Sequence, residues 1–181
     1  TMQNQESHCS RHSIYRHLLI TALLFAARAS FAADDLWVSS DFEGASVKVI
    51  EIDQTNRSIA FMPGGDAVRG WPCWWYFQIK GIAPGETITL RLHGSDSTVN
   101  QPGKPAAKPL APPWAMPVQA TYSTDGETWQ HTEDGIKEGE WMVYRLKMDA
   151  TSTFVAWGPP YTPTTATKFV NNMSAKSPHA K

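Results

Sequence analysis

A chain of 181 residues with a net charge of −1 has room for one well-filled domain and little for a second. From Ala33 onward 13 Lys and Arg stand against 16 Asp and Glu, a net of −3 with no basic run, which excludes a surface held to nucleic acid by phosphate contacts. Eight Trp, 13 Pro and 12 Gly favour strands and turns over helices and leave a large aromatic surface to place.

The first stretch reads as a secretory leader. Arg11, His12, Arg16 and His17 precede an apolar run from Leu18 to Ala27, and Ser30 and Ala32 put small side chains where a signal peptidase cuts. The run is about half the roughly twenty residues that a spanning helix needs. Cleavage is expected after Ala32, making the product exported, periplasmic or extracellular. The alternative is an uncleaved anchor or a buried amphipathic helix, and Arg28 directly behind the run speaks against both. Cys9 leaves with the leader, so Cys73 is unpaired and the domain has to hold itself by packing.

Asp35 to Ser46 leads in, with Phe42 and Gly44 marking a first edge segment. Val47 to Asp53 is a strand whose apolar phase shifts between Val49 and Ile50, so a bulge or a strand covered on both faces is expected there. Gln54 to Arg57 turns the chain, and Ser58 to Met62 returns with Ile59 and Phe61 inward. A loop from Pro63 to Gly70 leads to the stretch Trp71 to Leu92, which reads as a central hairpin. In its first arm Trp75, Phe77 and Ile79 share one face while Trp74, Tyr76, Gln78 and Lys80 share the other. In its second arm Ile88, Leu90 and Leu92 point one way, and Gly81, Pro84 and Gly85 supply turn chemistry between the arms.

The segment from His93 to Pro117 carries six Pro, which excludes a helix and keeps it out of a ladder; Trp114 and Met116 are expected where it docks back. Val118, Ala120 and Tyr122 form a strand face, Ser123 to Gly126 turns, and Thr128 to Gln130 begins a return arm. Trp141 to Met148 alternates on both faces, and Thr153 to Trp157 is expected to pair with it. The fold class is therefore all-β: an antiparallel β-sandwich of about seven to nine strands with one C-terminal helix. Thr162 is an N-cap with Pro163 at the first helical position, and Phe169, Val170 and Met173 share one stripe. The expected divisions are a leader over 1–32, a sandwich over 33–161, a linking helix over 162–173 and a disordered tail over 174–181.

Chemistry is sparse. A hydrolase needs a base, a nucleophile or metal, and an oxyanion donor held together. His93 opens His-Gly-Ser-Asp96 and His131 opens His-Thr-Glu-Asp134, but neither stretch offers the third ligand of a catalytic zinc. Both read as surface histidines at strand ends. Cys73 lies between Pro72 and two Trp with no nearby His to activate it. Asn56-Arg-Ser58 and Asn172-Met-Ser174 match a glycosylation pattern too short to be specific. What remains is aromatic: Trp74 and Tyr76 on the second face of the central strand, with Trp71, Trp114 and Tyr161 on loops, are candidates to stack on a flat ligand or to bury against another domain, unless the Pro-rich loop and the terminal helix simply cover that face.

The order Trp74-Trp-Tyr-Phe-Gln-Ile79, then Met116-Pro-Val-Gln-Ala-Thr-Tyr-Ser123 with Trp129, then Phe154-Val-Ala-Trp157 and Pro160-Tyr-Thr162 resembles the N-terminal domain of zinc carboxypeptidases of the cytosolic-carboxypeptidase type, over roughly Asp41 to Met173. The resemblance implies an antiparallel β-sandwich whose Pro-Tyr-Thr helix passes the chain to an α/β catalytic domain. That later domain carries the zinc ligands, a His-x-x-Glu and a distant His, and the catalytic Glu. This sequence has none of them, so no catalytic residue, no metal ligand and no cofactor is carried over, and zinc is expected only in the catalytic domain. The expected partner is that domain, in cis, with Trp74, Tyr76 and Phe169 as contact candidates. No nucleic acid, and no membrane after leader cleavage, is expected. The alternative is a stand-alone carbohydrate-binding β-sandwich, because Tyr122-Ser-Thr-Asp-Gly-Glu-Thr-Trp129 also looks like turns in discoidin-like sandwiches and Trp is in surplus.

Overall fold

A computed structural model describes residues 34–64, 73–94, 98–99, 108–109 and 114–176. The expected leader, Trp71, most of the Pro-rich segment and residues 177–181 lie outside the described residues. Twelve strands are described: β1 Trp37–Ser39, β2 Lys48–Asp53, β3 Ser58–Met62, β4 Tyr76–Lys80, β5 Glu86–His93, β6 Thr98–Val99, β7 Lys108–Pro109, β8 Thr121–Ser123, β9 Gln130–His131, β10 Ile136–Glu138, β11 Trp141–Met148 and β12 Ser152–Ala156, followed by helix α1 over Pro163–Lys176.

Ten of these strands form two five-stranded sheets, β1-β4-β12-β8-β9 and β10-β11-β5-β3-β2, and β6 pairs with β7 apart from both. Every pairing is antiparallel except β3 with β5, which is parallel because the chain visits the other sheet, as β4, between them. The short ladder of Thr98 on Pro109 departs from the expectation that the Pro-rich segment makes none. Proline lacks the amide donor but keeps its carbonyl, so it is compatible with a strand edge.

Of the two outcomes expected for β2, the bulge is present, with the β2–β3 register shifting between Val49 and Glu51, while most of the strand is exposed. The β8–β9 hairpin also forms, Thr121 opposite His131 and Tyr122 opposite Gln130. Its inner face holds buried Ala120 and part-buried Tyr122 as expected, but Val118 is exposed because the chain has not yet entered the sheet. Ser123 and Asp125 shape the turn: Asp125 accepts from the amides of Glu127 and Thr128 and from the Ser123 hydroxyl, and these bonds hold its carboxyl far below the usual carboxylate range.

The central hairpin is corrected. β4 pairs with β1 and β12, and β5 pairs with β11 and β3, so residues 81–85 carry the chain from one sheet to the other. The face assignment survives: Trp75, Phe77, Ile79, Ile88, Leu90 and Leu92 are all fully buried, the first three meeting the second three across the interior. Gly81 has φ +79, and a Cβ there would sit 2.1 Å from the Asp35 carbonyl oxygen, so only glycine lets the crossover lie against the lead-in segment. Thr153–Ala156 likewise pairs with β4 and β8 rather than with β11. A short link allows either a hairpin or a crossing, and in both places the apolar rows of both strands are covered best by facing each other.

Phe61 joins the layers, meeting Phe77 at 4.9 Å and Trp75 at 5.2 Å between ring centroids, each edge to face. Two polar groups carried inside by large rings are satisfied: Trp75 Nε1 donates to the Ala115 carbonyl at 2.9 Å and the Tyr144 hydroxyl to that of Pro117 at 2.6 Å. These bonds seat residues 115–117 at the end of the Pro-rich segment, where Met116 is buried as expected and Ala115 with it, while Trp114, also expected to dock, is exposed. At one end of the sandwich Arg57, in the left-handed region at φ +50, pairs with Glu86 and donates to the Gly81 carbonyl, while the Gln54 amide holds both the N–H and the C=O of Leu36.

Candidate functional site

The six aromatic candidates separate into three groups. Trp71 lies outside the described residues. Tyr76 is 7% exposed, because the outer face of its sheet is covered from within the chain. Its ring meets Phe42 at 4.9 Å, Trp129 at 5.7 Å and Phe154 at 6.1 Å, and burial raises its phenol pKa. Trp74 is half-buried beside it, with Nε1 donating to the Gly44 carbonyl at 2.9 Å. The loop holding Phe42 and the return arm holding Trp129 supply this cover, where sequence reasoning had considered the Pro-rich loop and the helix.

Trp114, Tyr161 and Phe169 are exposed, at 61%, 69% and 56%. Trp157, 42% exposed and not singled out in the sequence, belongs with them: its Nε1 donates to the Trp114 carbonyl at 3.1 Å and its amide to the Trp75 carbonyl at 3.0 Å. Strand alternation says little about Trp157, since β12 ends at Ala156. Trp37, also exposed, carries the Lys80 ammonium 4.6 Å above its ring.

Helix α1 begins as its sequence dictates. The Thr162 hydroxyl accepts from the Thr165 amide at 3.2 Å, and the Thr162 carbonyl accepts from Ala166 at 2.9 Å, the two bonds of an N-cap. Glu43 meets the Thr164 amide at 3.3 Å, and hydrogen bonds from Thr162 and Thr164 hold its carboxyl below the ordinary range. Lys168 reaches Glu127 at 3.2 Å. All these ties are polar and exposed, and no residue of the helix is buried. Phe169, Val170 and Met173, spaced i, i+1 and i+4, lie uncovered along it. It runs to Lys176, three residues into the expected tail.

Among the described residues the histidines do not converge with other ligands on a metal centre. His93 Nε2 lies 3.4 Å from Glu140, its ring packs edge-on against Trp141 at 4.9 Å, and among the described residues no group of three His, Cys, Asp or Glu converges. A zinc ion would find one nitrogen and one distant carboxylate there, which does not fit its coordination. His131 is exposed on β9. Among the described residues no helix is long and apolar enough to cross a membrane.

The family model of the cytosolic carboxypeptidase N-terminal domain matches residues 38–157, the sandwich from β1 to the end of β12. The chain belongs to this family. Solved structures of similar fold include a putative carboxypeptidase from Burkholderia mallei ATCC 23344, with a TM-score of 0.60 and 18% identity over 81% of this chain and 34% of that one. A metallo-carboxypeptidase from Burkholderia cenocepacia gives 0.59 and 18% over 76% and 32%. The metallo-carboxypeptidase from Pseudomonas aeruginosa in complex with (2-guanidinoethylmercapto)succinic acid gives 0.54 and 19% over 75% and 33%. This chain therefore spans about a third of the length of these proteins. No curated protein matches it. Within this N-terminal domain, the exposed row of the helix and the exposed rings of Trp114, Trp157 and Tyr161 are the candidate contact residues.

Proposed function

We propose that this chain is the non-catalytic N-terminal domain of an exported carboxypeptidase-like protein, which packs against a catalytic domain and shapes the approach of a peptide's C-terminal end. The observation that carries this reading is helix α1: 14 residues, none buried, with Phe169, Val170 and Met173 uncovered. An isolated helix of that length is marginal in water and draws its stability from packing an apolar face. A surface built this way is suited to a neighbouring domain, and Trp114, Trp157 and Tyr161 are further exposed rings that such a domain could cover. Export rests on the leader-like composition of residues 1–32, and a secreted product would begin at Ala33.

The test has two parts. The purified chain is expected to release no C-terminal amino acid from peptides; release abolished by a chelator would overturn the non-catalytic role. Co-expressed with a polypeptide encoded downstream in the same reading frame, it is expected to co-purify, and Phe169→Asp with Met173→Asp is expected to abolish that association. A saturable Trp-fluorescence change on titration with cell-wall glycans would favour a carbohydrate-binding module instead.

A further inference from the structure

The two sheets leave a notch on one side of the sandwich that the family reading does not use. The Met148 carbonyl accepts from the Gly85 amide, on the β5 side, at 2.7 Å. Backbone groups alternate sides along a strand, so those of Arg145 and Lys147 face away from β5. There β10 covers β11 only from Trp141 to Val143, and among the described residues Arg145 and Lys147 meet no strand. The chain ahead of β10 cannot continue alongside, because Thr132 is tied to the Ala120 carbonyl at 2.9 Å and Gly135 to that of Val118 at 2.7 Å. The result is a cavity of about 250 Å3 beside Arg145 and Lys147, walled by Tyr122, His131, Thr132 and Glu133.

We propose that this notch takes up an extended acidic peptide segment as an added strand on the free half of β11. Two N–H and two C=O groups are presented to it, enough to fix a short strand on the track that β10 follows. The exposed side chains of Arg145 and Lys147 flank buried Leu146, and neither forms an ion pair among the described residues. An incoming strand therefore meets two cations on one face, at positions i and i+2, and the opening beside Leu146 and Tyr122 at i+1. Carboxylates at i and i+2 with an apolar residue between them match that pattern, and Glu133 is the one carboxylate lining the notch. A second copy of this edge is disfavoured, since antiparallel self-pairing would set cation against cation. The proposal stands on the notch alone and is independent of any catalytic domain.

The full chain would be titrated with a blocked, labelled peptide alternating Glu and Val, read by fluorescence anisotropy and by amide hydrogen exchange. Saturable binding is expected, with slowed exchange at Arg145 and Lys147 and affinity roughly tenfold weaker in R145E/K147E. R145Q/K147Q is expected to weaken binding less, and a peptide with Lys in place of Glu not to bind. Absence of binding, equal binding of the Lys peptide, unchanged affinity in both variants, or protection confined to other amides would overturn the proposal. So would self-association of the chain that R145E/K147E abolishes.

Discussion

The interior of the sandwich and helix α1 use the same kinds of side chain and end in opposite environments. Trp75, Phe77 and Ile79 have no exposed surface, whereas Phe169, Val170 and Met173 are about half exposed. The difference lies in what the chain supplies opposite each row. The β4 row meets Phe61 and the β5 and β11 rows across the interior, so each group is worth roughly 1.5–3 kcal/mol of transfer free energy where it stands. The helix row meets no comparable surface among the described residues, and its attachments at Glu43 and Glu127 are exposed and polar. An apolar row is a demand for cover. In the sandwich the chain meets that demand itself, and along the helix the described residues do not meet it.

The largest expected effect lies in the interior. Trp75→Ala removes a fully buried ring together with its bond to Ala115 and should cost about 3–5 kcal/mol, read as a lower urea midpoint in equilibrium unfolding. A loss below about 1 kcal/mol would mean that the interior is not the source of cohesion. The polar rim comes next. Glu86→Gln leaves Arg57 half-paired and is expected to cost about 1–2 kcal/mol at pH 7. Hydrogen bonds from Arg57 hold the Glu86 pKa below its ordinary 4.5, so its contribution is present above that value and is lost as pH falls through the lower folded-state pKa. The acid limb of a stability–pH curve should therefore be shallower in the Gln variant, and an unchanged limb would remove Glu86 from the account. The smallest effect belongs to the helix: Phe169→Ala should change the unfolding free energy of the chain by less than about 0.5 kcal/mol. A loss comparable to that at Trp75 would erase the contrast between the two regions.

Much of the candidate surface was legible in the sequence because helix capping and periodicity are local. Thr162, Pro163 and the Phe169 stripe stand where the residues indicated. Whether Tyr76 is a surface ring or a covered one stayed open in the sequence, because alternation names a face without saying what covers it. Its cover comes from Phe42 and Trp129, 34 residues before it and 53 after, and no spacing rule links them. The notch beside Arg145 was invisible for a related reason, since it depends on where β10 stops and on the ties of Thr132 and Gly135 to the other sheet.

By itself the sequence determined the inward rows of β3, β4 and β5, an irregularity after Val49, the β8–β9 turn and the helix start, because each is set by period or by hydrogen bonds within a few residues. It also carried the family, through the order of its aromatic motifs. Only the tertiary structure decided which sheet each strand joins. A five-residue link such as 81–85 serves a hairpin or a crossing equally well, and the choice is made by distant partners: β1 and β12 for β4, β11 and β3 for β5. Covering two apolar rows with each other outweighs pairing neighbours in sequence, and that balance exists only once the whole chain is folded.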